Sequence, residues 1–185
     1  MLTVSPIAVS LFSFVEQVDE EFLGRHGFDG SGALYKAINV PATLSPTVNT
    51  GLYRKLLRKD EPYTDLIDFT ANINIANPHR FTYFADEVNL PNYINLMAAM
   101  AVPSNHDQLT KNYYLYHDPH RQEWFRLPWD GDSALHNRTH ENWTSPLYGD
   151  AKHTQELRNN APNPEWQNHL HSAILDNPIT REMYM

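Results

Sequence analysis

The run Asn105-His106-Asp107-Gln108-Leu109-Thr110-Lys111-Asn112 leads straight into Tyr113-Tyr114-Leu115-Tyr116-His117-Asp118 and the turn Pro119-His120-Arg121-Gln122. The chain then continues as Glu123-Trp124-Phe125-Arg126-Leu127-Pro128-Trp129-Asp130-Gly131-Asp132. Aromatic and aliphatic residues flank a polar turn that contains Pro, a pattern that predicts a β-hairpin. The order is an Asp, an Asn five positions on, a hairpin, and an Asp at its far end. Asn or Asp beside a hairpin is ordinary turn chemistry, and an Asp-x4-Asn spacing arises readily by chance. The hairpin between them, and the Trp129-Asp130-Gly131-Asp132 that closes an apolar strand, carry the reading further.

These residue types in this order fit one chemistry. A site that moves a phosphoryl group must hold metal ions against a nucleotide's phosphates and aim a hydroxyl at the last of them. Mg²⁺ takes hard oxygen ligands, which a carboxylate and a side-chain amide supply. A hairpin fixes the distance between the two loops. Protein kinases use the same order: a catalytic-loop Asp, an Asn five residues later, and a metal-binding Asp on the following loop. On this reading Asp107 orients or deprotonates the acceptor hydroxyl, Asn112 and Asp130 are metal ligands, and Asp132 is a further one.

The stretches Asn112 to Asp118 and Trp124 to Asp132 resemble the CotH kinase family, named for a spore coat protein, whose members resemble atypical protein kinases. A second match lies upstream, in Phe14-Val15-Glu16-Gln17-Val18-Asp19 with Phe22-Leu23, then Gly32-Ala33-Leu34-Tyr35-Lys36. The resemblance covers most of the chain and is strongest between Asn105 and Asp132. It implies an α+β, protein-kinase-like fold, mainly the C-terminal helical lobe with a catalytic β-hairpin. It implies transfer of the ATP γ-phosphoryl to a protein Ser or Thr with Mg²⁺, Asp107 as the catalytic carboxylate, and Asn112 and Asp130 on the metal. Glu16 and Lys36 fall in the upstream match and are the candidates for nucleotide binding; for Lys36 the plain alternative is an exposed strand lysine. One departure is visible. The family often has an apolar residue inside its Trp-Asp-x-Asp and a Gly soon after, whereas Gly131 sits inside here and Ser133-Ala134-Leu135-His136 follows. That weakens the case for Asp132 more than for Asp130. A bacterial spore coat, a cell surface or secretion is suggested by the resemblance only.

Bulk properties agree with one globular domain. The 185 residues are ample for a core, and 41% hydrophobic content with 12% aromatic is not that of a disordered chain. A net charge of −8 argues against a non-specific grip on nucleic acid or anionic membrane. The absence of Cys excludes disulfides, thiolate zinc sites and Cys nucleophiles without fixing a compartment. No apolar run of about 18 residues is present, so no membrane insertion is expected. The N-terminal residues lack a basic region and make a poor signal peptide.

Taken in order, residues 7–15 read as a strand and Glu20 to Leu23 as a short helix ending near Gly24. The glycines from Gly24 to Gly32 do not form a phosphate-binding pattern and read as a flexible connection. Leu34 to Val40 reads as a strand, and 41–50 as a Pro, Ser and Thr loop. Gly51 to Lys59 is the one basic cluster, a run that is usually a solvated face. Leu66, Phe69 and Ile73 share a helical face, with Thr64 as the expected N-cap. A short helix is expected over 80–86. A stronger one follows from Pro91 to Ala101, whose Met and Ala stripe reads as core. Beyond Asp132, Leu135 to Trp143 is polar and irregular, with sequons at Asn137 and Asn142 that matter only in a secreted eukaryotic protein. Trp166 to Leu175, preceded by Pro164, reads as a helix with Trp166, Leu170 and Ala173 on one face, and Asn177-Pro178 ends it before another begins.

Two other function classes stay open. A CotH-like fold can serve as a non-catalytic surface binding or structural module. His106, His117, His120, His136 and His140 cluster in sequence, and imidazoles with a bound water could make a zinc hydrolase, although no His-x-x-x-His with an intervening Glu sits on a clear helix. No Gly-x-Ser-x-Gly elbow supports a Ser hydrolase. No convincing nucleotide-covering loop with an early strand Lys precedes residue 16, and the last residues begin a helix. The chain therefore reads as a single kinase-like domain over 1–185, incomplete at both ends, with ATP and a protein as its partners.

Overall fold

Alternating apolar residues in the central segments and helical spacing around them resolve into an α+β arrangement in the computed structural model, which describes residues 15–74, 76–103, 105, 110–132 and 168–185. The strand expected over 7–15 lies outside these residues except for Val15, which is exposed. So do the segment from Leu135 to Trp143, both sequons, Pro164 and Trp166.

The expected hairpin is the centre of the sheet. β3 (Tyr113–His117) and β4 (Trp124–Pro128) pair antiparallel, from Tyr113 opposite Pro128 to His117 opposite Trp124. Its turn is closed by Asp118, whose carboxylate accepts from the backbone N–H groups of His120 and Arg121, each at 2.9 Å. β1 (Ala33–Ala37) pairs with β3, and β2 (Tyr53–Lys55) pairs with β1, giving the antiparallel order β2-β1-β3-β4. β1 ends three residues earlier than the expected Val40, because the chain turns at Asn39, where the carbonyl accepts from Ala42 N–H at 3.1 Å. β2 lies inside the basic run, which is therefore not a uniformly solvated face: Lys55 is only 6% exposed, and its ammonium donates to the Pro62 carbonyl at 2.9 Å.

Both edges of the sheet meet neighbouring side-chain and backbone groups. On β2, the Tyr63 hydroxyl accepts from Lys55 N–H at 3.1 Å and donates to the Tyr53 carbonyl at 3.3 Å. On β4, Arg126 N–H donates to the Asn92 side chain at 2.8 Å, and the Trp124 carbonyl accepts from Asn89 N–H at 3.0 Å.

The helices lie on both faces of the sheet, the first on one and the rest on the other. They are α1 (Glu20–Arg25), α2 (Thr64–Asn72), α3 (Arg80–Glu87), α4 (Leu90–Ala101), α5 (His169–Asp176) and α6 (Pro178–Tyr184). Asparagine side chains cap three of them: Asn89, Asn168 and Asn177 accept from N–H groups in the first turns of α4, α5 and α6. Asn177 both ends α5 and starts α6. Thr64 is the first helical residue of α2 and not its cap; the N-cap position belongs to Tyr63, whose side chain makes no capping bond and whose hydroxyl instead meets β2.

The period-2 alternation of the strands divides the core into two. Tyr35, Tyr113, Leu115 and Trp124 face the helices and pack with Phe69 of α2, Phe84 of α3, Tyr93 of α4 and Ile174 of α5. Trp124 lies between Phe69 and the His117 ring, each with its centroid 4.5 Å away. Leu34, Tyr114, Tyr116, Phe125 and Leu127 face the other way and are covered by α1 and its flanks through Val18, Leu23 and Phe28. The glycine-rich connection is tightly packed at one point. A Cβ at Gly32 would lie 2.6 Å from the His117 carbonyl, so a side chain there would force the loop off β3.

Candidate active site

The site grows from the open end of the hairpin. Tyr113 opposite Pro128 is the last paired position, so Asn112 and Trp129 come next and Asp130 follows immediately. Asn112 (φ 58°) and Asp130 (φ 56°) both adopt the left-handed backbone conformation, which Asn and Asp tolerate better than other side-chain-bearing residues. The two residues that sequence spacing named as metal ligands therefore sit at one end of one hydrogen-bonded ribbon, each at a sharp change of chain direction.

The preceding loop is anchored beside the same end. α4 runs out at Ala101, and Asn105 N–H donates back to the Met100 carbonyl at 3.0 Å. Asn105 is buried, and its Nδ2 lies 4.0 Å from the position that a Cβ on Gly131 would take. The Asp130–Asp132 loop therefore passes beside Asn105, at a distance where a side chain on residue 131 would make only an ordinary contact. On the other side, the Thr110 carbonyl accepts from Ala42 N–H at 2.7 Å. Asp107 itself lies outside the described residues, as does His106. Asn105 Oδ1 and Asn112 Nδ2 are both buried and find no hydrogen-bond partner among the described residues. Buried amides of this kind are costly unless something meets them.

Lys36 reaches this end from β1. It is half-buried, and its ammonium lies 4.3 Å from the Trp129 ring centroid and 5.2 Å from that of Tyr114, which meet edge-to-face. Burial lowers the Lys36 pKa first, the Arg54 charge lowers it further, and the Asp130 carboxylate opposes them. Lys36 and Asp130 are therefore close enough to feel each other. Asp130 and Asp132 are exposed. Tyr114 is fully buried beneath Lys36, with no hydrogen-bond partner for its hydroxyl among the described residues; burial pushes that hydroxyl up to about 12, with the Asp19 charge adding to the shift.

Glu16 is placed differently. Its exposed carboxylate accepts from Arg25 Nε at 2.8 Å and lies 3.4 Å from His26 Nε2, a surface cluster that holds the lead-in segment to α1. Of the clustered histidines, His117 stacks on Trp124 and faces Asp65 at 3.7 Å, while His120 contacts Asp29 at 2.6 Å. They point to different parts of the molecule; His136 and His140 lie outside the described residues. Among the described residues no group of three His, Asp or Glu side chains is gathered for a metal ion.

The donor set at the hairpin end is a carboxylate, an amide and a second carboxylate two residues on. That fits a hard divalent cation such as Mg²⁺, which keeps several waters and takes few protein oxygens. Two residues of the neighbourhood are not singled out by sequence spacing. Asn105 is in the quoted run but reveals itself only by its burial. Arg54 faces Lys36 across two strands, a pairing visible only once the β1–β2 register is known.

A family model for CotH kinase proteins matches residues 11–185. No curated protein matches the chain significantly.

Proposed function

The chain belongs to the CotH kinase family, and we propose that it works as a kinase of the atypical protein-kinase kind, transferring the ATP γ-phosphoryl to a protein Ser or Thr with Mg²⁺. The observation that carries this is the placing of Asn112 and Asp130 at one end of a rigid hairpin, with Lys36 from the next strand within electrostatic reach of Asp130. The rest of the sheet holds that end still: one face is closed by four helices, and both edges meet neighbouring groups.

In this reading Asn112 and Asp130 would hold Mg²⁺, with Asp132 as a further ligand. When bound, the ion neutralises charge on the phosphates and orients them. Lys36 supports the phosphates as a second cation, already desolvated over Trp129. Asp107 accepts the proton of the acceptor hydroxyl or holds it in line. Glu16 stays a candidate for the nucleotide side, although its partners Arg25 and His26 compete for it. CotH kinase proteins are associated with spore coats, so a coat or cell-surface location belongs to the same proposal. Among the described residues no helix is long and apolar enough to cross a membrane.

The test is transfer of label from γ-labelled ATP to protein in the presence of Mg²⁺, comparing the natural chain with Asp107→Ala and Asp130→Ala. Loss of labelling by at least about a hundredfold in both variants is expected, the scale of removing a charge-stabilising group from such a site. Failure of the natural chain to transfer label, together with no Mg²⁺-dependent nucleotide binding, would favour the non-catalytic binding module.

A further inference from the structure

We propose that Arg54 and Lys36 form one polyphosphate-binding pair, two cations side by side on β2 and β1 that together hold the phosphates of a nucleoside triphosphate next to Asp130. The ligand named here rests on the kinase reading; the pairing of the two cations does not.

The register places Arg54 directly opposite Lys36, one strand in from the sheet edge. Residues opposite each other in an antiparallel pair project from the same face, with Cβ atoms about 5 Å apart. Like charges so placed destabilise a sheet unless something else compensates. The neighbouring cations of the same run are compensated: Lys55 lies 3.8 Å from Asp65, and Arg58 pairs with Glu61. Among the described residues neither Arg54 nor Lys36 makes an ion pair of that kind. What holds Lys36 in place is aromatic, the rings of Trp129 and Tyr114. Its ammonium is thus fixed before any ligand arrives, which removes part of the ordering cost of binding. Arg54 is exposed and can bring a planar fork of donors to the same anion, a geometry suited to phosphate oxygens.

The neighbourhood selects the kind of anion. Asp130 follows Trp129 directly and acts on Lys36. An acidic peptide on this row would face the Asp130 carboxylate with like charge. A polyphosphate carrying a divalent cation meets all three groups at once, its oxygens toward Lys36 and Arg54 and its metal toward Asp130. Along this row Tyr114 and Leu127 are buried, whereas Lys36 is half-buried and Arg54 exposed, so a ligand would approach from the Arg54 end.

The experiment is calorimetric titration of the chain with Mg-ATP, Mg-tripolyphosphate and AMP, repeated on Arg54→Ala, Arg54→Gln, Lys36→Met and the exposed control Lys59→Ala. Thermal melts accompany each variant to establish that it is folded. Weakening of Mg-ATP and Mg-tripolyphosphate binding by roughly tenfold is expected in both Arg54 variants and in Lys36→Met, the effect of losing a charge-assisted contact. AMP binding should stay within about twofold, and Lys59→Ala should match the natural chain, because neither depends on the pair. Folded Arg54 variants that bind Mg-ATP as tightly as the natural chain would overturn the pair and leave the kinase reading standing. Tripolyphosphate binding that needs Arg54, with no binding of any adenine nucleotide, would support the pair and overturn the kinase reading. A natural chain that binds none of the three ligands would overturn both.

Discussion

Arg126 and Lys36 are two cations resting on aromatic rings from opposite faces of one sheet, and their surroundings differ in almost every other respect. Arg126 lies 4.3 Å from the Tyr113 ring centroid and 5.3 Å from that of Tyr93; Lys36 lies 4.3 Å from Trp129 and 5.2 Å from Tyr114. Arg126 is 1% exposed and donates to the Tyr93 hydroxyl at 3.0 Å, with the His171 ring 3.4 Å away. It joins β4 to α4 and α5 and cannot meet anything from outside. Lys36 keeps one side open, toward Arg54 and Asp130. A cation on an aromatic face is therefore no mark of function by itself. Access and the company of a carboxylate and a second cation distinguish the one that can act on a ligand.

Replacing each cation by Met separates the two roles most strongly. Arg126→Met leaves the Tyr93 hydroxyl and His171 with a thioether in place of a donor, in a site water does not reach. A loss of about 3 kcal/mol is expected in chemical denaturation, the scale of breaking a buried polar network. Lys36→Met keeps the stem and surrenders only the cation-aromatic contact, so stability should move by less than about 1 kcal/mol. Equal losses from the two would abolish the distinction between a structural and a functional cation.

Mild acid should act on the closed face. Burial, and then the Arg126 charge, hold the His171 pKa well below its usual 6.5; burial followed by the Arg80 charge lowers that of His169. In the unfolded chain both rings take a proton near pH 6.5, whereas in the folded chain they do not. Their effect on stability is therefore absent above that pH and grows as pH falls, by up to about 1.4 kcal/mol per pH unit for each ring until its folded pKa is reached. Denaturation midpoints measured between about pH 7 and 5 should show this slope, and His171→Gln should make it shallower. A slope unchanged in His171→Gln would mean that the ring carries its charge inside the fold.

Much of this arrangement is legible from residue order alone. The hairpin follows from aromatic and aliphatic residues flanking a polar, Pro-containing turn, and the helices from helical spacing, with Pro91 marking the start of α4 and Asn177-Pro178 the break between α5 and α6. These are local signals, each contained in about a dozen residues. What is not legible depends on partners far away in sequence. β2 is only three residues long and lies inside a basic run, so nothing local distinguishes it from a solvated loop. Thr64 has the chemistry of a cap, but the chain enters the helix one residue earlier. For the site, Asn112 and Asp130 can be named from spacing, and the register brings them to one ribbon end. Arg54 cannot be named that way, because its place beside Lys36 is set by strand pairing.

The smallest expected effect tests whether the open face is a single electrostatic unit. The Lys36 pKa is lowered first by burial and second by Arg54, and the Asp130 carboxylate works in the opposite direction. Removing the negative charge with Asp130→Asn should lower the pKa further and expose more of the free amine at a given pH. Removing the positive charge with Arg54→Gln should do the reverse. The rate at which a small acylating reagent modifies Lys36, followed by peptide mass mapping at one mildly alkaline pH, should fall in the order Asp130→Asn, natural chain, Arg54→Gln. Raising the salt concentration should compress the order, because groups that are partly exposed interact through screened charge. Identical rates in natural chain and Asp130→Asn would mean that Asp130 faces away from Lys36. The carboxylate at the hairpin end and the cation on β1 would then serve separate surfaces, and the contrast with Arg126 would reduce to one of burial alone.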